Sequence, residues 1–170
     1  MNKIIYFFVA GTLGGFVIET LFKILTNKEN VSSGLLNGPF CILYGIGTAF
    51  MSVMLTKYKD NIWLLFINSA LWLSLFEFIT GIVLEKVYKT KLWDYTGMFL
   101  SIGGKVCFTF TLIWGVLGVV YIKVILPVLM FIYNNANPLF INAIISTIFI
   151  IIVIDTIYTN VKIIGFKKYD

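Results

Sequence analysis

Long apolar stretches, separated by short polar segments, dominate this sequence and constrain its fold more than any motif does. Of its 170 residues, 59% are hydrophobic and only 12% are charged, and the mean hydropathy is +0.96. A soluble domain carries roughly 25% charged residues because its surface must face water, whereas a helix that crosses a bilayer needs about 20 mostly apolar residues. The composition therefore predicts an all-α, polytopic membrane protein.

The apolar stretches are long enough for about five transmembrane helices. Glycine, proline or charged residues bound each stretch. The helices are expected at residues 4–25, 39–56, 62–88, 106–131 and 139–160. Because each span uses about 20 residues, only short connections are left over. We therefore expect a single transmembrane domain over residues 1–170, with no separate domain outside the membrane.

Two segments are expected to depart from regular transmembrane helix. The second helix begins at Gly38-Pro39 and contains Gly45 and Gly47. Backbone interrupted in this way is tolerated at membrane depth where it lines a cavity inside the protein. Residues 89–105, between helices 3 and 4, are too polar at their start to cross, so this segment is expected to lie in the membrane interface, where Trp and Tyr prefer to sit.

The basic residues predict how the chain is oriented in the membrane. All 13 of them are lysines, and five spans place Lys3, Lys57 and Lys59 on one side. The other side receives Lys28, Lys86, Lys89, Lys91, Lys105, Lys162, Lys167 and Lys168. Because lysine is enriched in cytoplasmic loops, the amino terminus is predicted outside the cell membrane and the carboxyl terminus in the cytoplasm. The Ser32-Ser33 loop would then be cytoplasmic.

Several functional classes are disfavoured by residue types that are missing or scattered. The sequence has no histidine, which removes Ser-His and Cys-His catalysis and imidazole metal sites. Cys41 and Cys107 have neither zinc-site nor disulfide-framework spacing, so they are expected to be buried small hydrophobes, with a redox pair as the alternative. The lysines form no single basic surface, so nucleic-acid binding is not expected. No metal site is expected either.

Four acidic residues lie in the second halves of predicted helices that all run inward: Glu19, Glu77, Glu85 and Asp155. Burying an ionisable group in lipid costs about 2.5 kcal/mol or more, and all four would lie in one leaflet. The pattern therefore predicts an acidic cavity within the membrane. The alternative is that Glu85 and Asp155 are solvated near the headgroups, while Glu19 pairs with a lysine one turn later.

Several short motifs occur in a fixed order along the chain. They are Glu19, Gly38-Pro39-Phe-Cys-Ile-Leu-Tyr44-Gly45-Ile-Gly47, Glu77-x3-Gly81-x3-Glu85, Trp93-Asp94-Tyr95, Ile-Gly-Gly-Lys-Val-Cys107, Trp114-Gly115 and Pro127. In this combination the sequence resembles the ABC-transporter type IV (CmpB-like) family of membrane proteins over nearly its whole length. The resemblance implies a permease partner of an ATPase.

The chain itself has no nucleotide-binding motif. Gly103-Gly104-Lys105 is followed by Val106 and lacks the glycine five residues earlier, so it is not a P-loop. ATP would therefore be bound by a separate ATPase subunit, and no cofactor is expected in this chain.

Two functional hypotheses follow from these features. The first is a transport or permease component that has an acidic cavity and works as a homodimer or with an ATPase. The candidate cavity residues are Glu19, Tyr44, Glu77, Glu85, Trp93, Asp94, Tyr95 and Trp114. The alternative is a membrane-embedded enzyme acting on a lipid, with Glu77 or Asp94 as acid or base and Tyr44 or Tyr95 as donor, or a lipid-binding or regulatory subunit. Missing histidine and missing metal motifs count against the enzyme.

Overall fold

The computed structural model describes residues 3–26 and 36–166, and this part of the chain is helical, with one isolated β-bridge and no strand. The elements in chain order are α1 (Lys3–Thr26), α2 (Ile42–Met54), a 3₁₀ turn (Thr56–Tyr58), α3 (Ile62–Val87), α4 (Phe108–Val120), a π turn (Tyr121–Ile125), α5 (Leu126–Asn135) and α6 (Pro138–Phe166). The all-helical class predicted from composition is confirmed.

Four helices in the described ranges are long and apolar enough to cross a membrane: Lys3–Leu25, Ile62–Val87, Phe108–Asn135 and Pro138–Lys162. The third of these joins α4, the π turn and α5 into one helix of 28 residues. By contrast, α2 has only 13 residues, or about 20 Å at 1.5 Å per residue, against a hydrocarbon core of about 30 Å. A total of five spans therefore stays a prediction.

Helix α2 differs from the predicted second helix in its start and in its regularity. It begins at Ile42, after an irregular segment that contains Gly38-Pro39, and it runs without a break through Gly45 and Gly47. The amide of Gly45 donates to the Cys41 carbonyl at 3.3 Å, so glycine does not interrupt the helical hydrogen bonds here. Instead, the missing side chain at Gly45 leaves room for α1, because a Cβ there would overlap the Thr12 hydroxyl.

The helix predicted at residues 106–131 begins two residues later and extends to Asn135. Pro127 has no N–H for the carbonyl four residues earlier and would normally kink or end a helix. The π turn Tyr121–Ile125 directly precedes it, and the amide of Leu126 donates to the Tyr121 carbonyl. The widened turn accommodates the proline, and the helix continues. Helix α6 likewise extends past its predicted end, to Phe166.

The described residues fall into two compact units, one formed by residues within 1–49 and 131–170, the other by Phe50–Met130. In the first unit, α1 packs against α6 and against the amino-terminal part of α2. In the second unit, α3 packs against α4. A single transmembrane domain over the whole chain stays a prediction.

Part of the topology prediction falls outside the described residues. The Ser32-Ser33 loop, Lys28, Lys167 and Lys168 all lie there. Because these lysines contributed to the assigned orientation, the placement of the two termini also stays a prediction.

The packing of α3 on α4 sets the position of the loop that joins them, residues 88–107. The Ser74 hydroxyl donates to the Thr111 hydroxyl at 2.9 Å, and a Cβ at Gly118 would overlap Ser69. In this antiparallel register Phe108 lies level with residue 77, so the last ten residues of α3, roughly 15 Å of helix, extend beyond α4. The 88–107 loop folds back along this part of α3.

Candidate functional site

Glu77 is the buried carboxylate of the second unit. Glu77 is only 7% exposed and lies in the middle of the apolar helix α3. The Tyr95 hydroxyl donates to its Oε1 at 2.9 Å, and the Trp114 indole N–H donates to its Oε2 at 2.9 Å. The Tyr95 ring stacks on Phe110 with centroids 4.4 Å apart. Residues from α3, α4 and the 88–107 loop therefore hold this carboxylate in place.

The two donors determine which protonation states the Glu77 site can hold. An indole N–H only donates, so Oε2 must accept from Trp114, whereas a phenolic hydroxyl can donate or accept. The Tyr95 hydroxyl can therefore donate to an ionised Glu77, or accept from a proton on Oε1, with little change in geometry. Both donors are neutral, so neither supplies a full charge that would fix Glu77 as an anion.

Glu85 lies two turns further along α3 and belongs to an ion-pair cluster. Lys105 Nζ is 2.6 Å from its Oε2 and Lys91 Nζ is 4.0 Å from its Oε1. The stem of Lys105 crosses α3 at Gly81, where a Cβ would lie 3.1 Å from the lysine Cγ. Glycine at this position lets Lys105 lie close to the helix and reach Glu85.

Asp94 closes a turn in the 88–107 loop. It accepts hydrogen bonds from the Thr96 amide at 2.9 Å and the Thr96 hydroxyl at 2.5 Å, and Lys91 lies 3.1 Å away. The Thr96 bonds, followed by Lys91, lower the pKa of Asp94 from 3.8 to about 2. The same contact with Asp94 raises the pKa of Lys91. Asp94 is therefore an anion at neutral pH, and this low pKa makes it a weak base.

Trp93 has a structural contact within the same loop. Its indole N–H donates to the Lys105 carbonyl at 2.9 Å, and the amide of Tyr95 donates to the Gly104 carbonyl at 2.8 Å. These two bonds join the outgoing and returning halves of the loop. A small open cleft lies beside them, and its lining includes Gly81, Glu85 and Lys105.

In the first unit, Glu19 on α1 accepts a hydrogen bond from the Tyr44 hydroxyl on α2 at 2.8 Å. A Cβ at Gly15 would overlap the Tyr44 side chain, so glycine brings the two helices close enough for this contact. The contact with Tyr44 joins Glu19 to the neighbouring helix, and the alternative pairing of Glu19 with a lysine of its own helix stays a prediction.

Asp155 joins α6 to the segment that precedes α2. It accepts from the Gly38 amide at 2.8 Å and from the Asn37 side chain and the Thr159 hydroxyl, each at 3.2 Å. A Cβ at Gly38 would lie 3.0 Å from Asp155 Oδ2, which explains why glycine suits this position. These bonds give Asp155 a structural role in the first unit.

The structure therefore groups the predicted site residues into three sets: Glu77 with Tyr95 and Trp114, Glu85 with Trp93 and Asp94 around two lysines, and Glu19 with Tyr44. Sequence reasoning missed Lys91, Lys105 and Thr96 as partners. Lys105 lies in the glycine-rich motif at residues 102–107, which could have pointed to it. A single cavity shared by all the carboxylates would join residues of both units and stays a prediction.

The acidic residues and the two cysteines are also the candidates for metal binding and redox chemistry. Within the ranges 3–26 and 36–166, no group of three or more His, Cys, Asp or Glu residues is placed to hold a metal ion. Cys41 and Cys107 are both buried thiols, and they are not joined in a disulfide. Their burial agrees with the prediction of small apolar packing residues.

Comparison with known proteins identifies the family of this chain. No curated protein and no solved structure matches it. The family described as "Putative ABC-transporter type IV" matches residues 5–160, nearly the whole length of the chain. Together with the four helices that are long and apolar enough to cross a membrane, this match shows that the chain is a membrane protein that belongs to the "Putative ABC-transporter type IV" family.

Proposed function

We propose that the chain is the membrane component of an ABC-type transport complex, in which Glu77 binds a proton or a cationic group of the substrate. The buried Glu77 carboxylate, held by the neutral donors Tyr95 and Trp114, carries this proposal. The family description supports a role in transport. Within this complex, ATP would bind to a separate ATPase chain.

The cost of placing Glu77 at this depth supports a functional role. An ionised carboxylate at the centre of a transmembrane helix costs about 2.5 kcal/mol or more. The two hydrogen bonds from Tyr95 and Trp114, about 1.5–3 kcal/mol each, offset a cost that a neutral side chain would not carry. A neutral Gln could accept from the Trp114 indole with its amide oxygen and donate to the Tyr95 hydroxyl with its amide nitrogen, without the cost of a charge. The ionisable side chain is therefore best explained by the binding of a proton or a cation.

Glu19 and Glu85 would supply further acidic groups along the pathway. Tyr44 fixes Glu19 from the neighbouring helix, and Lys105 neutralises Glu85. A single small chain offers few helices to enclose a pathway, and this favours a homodimer. We place the complex in the cell membrane, with the amino terminus outside and the carboxyl terminus in the cytoplasm.

A fifth crossing is part of this proposal. Helix α2, Leu55 and the 3₁₀ turn together cover residues 42–58. Thirteen α-helical residues and about four more at 3₁₀ spacing give roughly 27 Å, close to the hydrocarbon thickness of about 30 Å. This continuous helical stretch supports a crossing that α2 alone is too short to make.

The second candidate is a membrane-embedded enzyme or a lipid-binding or regulatory subunit that uses the same carboxylates. The observation that favours lipid binding is the cleft beside Glu85, where one carboxylate and the ammonium groups of Lys91 and Lys105 lie together. Such a cleft suits a zwitterionic headgroup. The low pKa of Asp94 counts against its use as a catalytic base.

The proposal is tested by purifying tagged protein in mild detergent and identifying bound molecules by mass spectrometry. The wild type, Glu77→Gln and the control Glu85→Gln are compared, because Glu85 is an exposed carboxylate on the same helix. We expect an ATPase with all three proteins. If no ATPase is recovered and a retained lipid is lost in Glu77→Gln or in Glu85→Gln, the lipid-binding or enzyme alternative replaces the transport proposal, and loss in Glu85→Gln alone would place the lipid at the cleft beside Glu85.

Proton binding at Glu77 is tested separately by infrared difference spectroscopy of reconstituted protein during a pH change. The expected result is a protonated-carboxyl band that disappears in Glu77→Gln and remains in Glu85→Gln. The band should also shift in Tyr95→Phe, because that variant removes the hydroxyl on Oε1. A spectrum identical in wild type and Glu77→Gln would rule out this carboxyl as the proton site.

A further inference from the structure

We infer that the apolar tip of the 88–107 loop, residues 98–102, inserts into the acyl chains of the leaflet in which α3 ends. Four large apolar side chains at this tip point outward. They are Met98, Phe99, Leu100 and Ile102, and the last three are 60–68% exposed. This interaction with lipid does not depend on what the protein transports.

The polar and charged residues at the two ends of α3 indicate where the membrane surfaces lie along this helix. Asp60 and Asn61 precede the helix, and Glu85 is followed by Lys86 near its end. Between them, residues 62–84 contain Glu77 as their one charged residue. These 23 residues make roughly 34 Å of helix, enough for a hydrocarbon core of about 30 Å. The membrane surface on this side therefore lies near Leu84.

The tip lies on the membrane side of that surface. Phe108 is level with Glu77, seven residues or roughly 10 Å inward from Leu84. Phe99 is held against this first residue of α4, because its carbonyl accepts from the Phe108 amide at 3.2 Å and the two rings lie 5.8 Å apart. Exposed apolar side chains next to Phe108 are therefore at the depth of the acyl chains.

Several backbone polar groups of the tip bond within the loop, which suits the tip to this depth. The amide of Met98 donates to the Tyr95 carbonyl, and the amide of Ser101 donates to the Met98 carbonyl. Ile102 and Val106 form a short bridge. Irregular backbone requires such internal bonding at membrane depth, and Leu100, at a φ of 51°, holds a left-handed conformation that few non-glycine residues adopt.

The lysines around the loop match the headgroup level. Lys86, Lys89 and Lys91 are all exposed, close to the end of α3. Lysine ammonium groups are attracted to anionic headgroups, while apolar side chains favour the acyl region below them. The loop therefore presents its charged part and its apolar tip to the two layers of one leaflet.

The inference is tested by electron paramagnetic resonance in liposomes with a nitroxide on Leu100→Cys, and with Lys89→Cys as the matched control in the same loop. The buried Cys41 and Cys107 are left in place. At Leu100 we expect collisions with oxygen to exceed those with a water-soluble nickel chelate several-fold, with the opposite order at Lys89. A Leu100 label that collides mainly with the nickel chelate would overturn the inference.

A second variant avoids dependence on one label. In Phe99→Trp, the fluorescence added relative to the wild type should be quenched by lipids brominated on their acyl chains and little affected by aqueous iodide. Efficient iodide quenching without bromolipid quenching would place the tip in water and contradict the inference. The position of the tip would then be wrong even if an ATPase copurified with the chain, so the two proposals can fail separately.

Discussion

The indole N–H of Trp114 on α4 donates to Oε2 of Glu77 on α3 at 2.9 Å. This bond joins two packed helices at their one buried carboxylate, and it is directional because an indole N–H can only donate. Glu77 also accepts from Tyr95, so both of its oxygens have donors. The removal of either donor should therefore leave a buried oxygen without a partner.

Trp114→Phe should destabilise the protein by about 1–3 kcal/mol, the usual cost of leaving a buried polar atom unsatisfied. Thermal unfolding in detergent measures this change. Trp72→Phe is the matched control, because Trp72 lies on α3, is 41% exposed and packs against the Phe50 ring. An equal loss of stability in both variants would mean that ring volume, rather than the bond to Glu77, causes the effect.

Lys105→Met should loosen the 88–107 loop. The ammonium of Lys105 lies 2.6 Å from Glu85, and its side chain is only 19% exposed. We expect amide hydrogen exchange at Tyr95 to accelerate several-fold, because the Tyr95 amide bonds to Gly104 next to this lysine. Lys91→Met is the control, since its side chain is 55% exposed and its contacts with Glu85 at 4.0 Å and with Asp94 at 3.1 Å are both exposed, and exposed pairs contribute little.

Apolar composition was sufficient to predict most helices, because a transmembrane helix requires a continuous apolar run of about 20 residues. It was less informative at α2, where apolar residues continue on both sides of the helix and only Gly38-Pro39 marks the irregular start. The sequence also suggested that Gly45 would interrupt α2. In the structure, Gly45 makes room for Thr12 of α1. This role depends on which helix packs against α2, and the local sequence does not predict that.

The candidate site was partly predictable for the same reason. Glu77 stood out because an ionisable residue in an apolar stretch is unusual. Its donors could not be paired with it from sequence, because Tyr95 reaches it only when the 88–107 loop folds back along α3. Likewise, Lys105 and Glu85 are 20 positions apart in the chain, and their contact depends on the path of that loop.

Thr96→Val should raise the pKa of Asp94 from about 2 toward 3.8, because the Thr96 hydroxyl is the largest cause of the lowered value. The pKa is lower in the folded chain than in the unfolded chain. The stabilisation from Asp94 is therefore complete above about pH 4, and it is lost as the pH falls through about 2. A carboxyl-carbon NMR titration of Asp94 in detergent measures its pKa in the wild type and in Thr96→Val.

A second variant removes only the ammonium partner of Asp94, and it separates the effect of Lys91 on the Asp94 pKa from that of Thr96. Lys91→Met should raise the pKa of Asp94 less than Thr96→Val does, because Lys91 ranks below Thr96 among the causes of the shift. If Lys91→Met gave the larger increase, the Lys91 ammonium rather than the turn would control the pKa of this carboxyl.

Gly11→Ala and Gly14→Ala test how closely α1 packs against α2. A Cβ at Gly11 would overlap the Thr48 hydroxyl, whereas nothing lies within 4 Å of a Cβ at Gly14. Overpacking of this kind costs about 1–3 kcal/mol, while alanine is favoured over glycine in an exposed helix by up to about 1 kcal/mol. Thermal unfolding should therefore show Gly11→Ala destabilised and Gly14→Ala unchanged or stabilised.

The two glycines are three residues apart on one helix, so differences in expression, detergent or depth affect both variants alike. Thr48→Ala should partly rescue Gly11→Ala, because it removes the hydroxyl that the new Cβ would overlap, and it should not affect Gly14→Ala. If the stability of Gly11→Ala equalled that of Gly14→Ala, α1 and α2 could not be packed at Gly11 and Thr48. The Glu19–Tyr44 contact two turns along would then also need a different explanation.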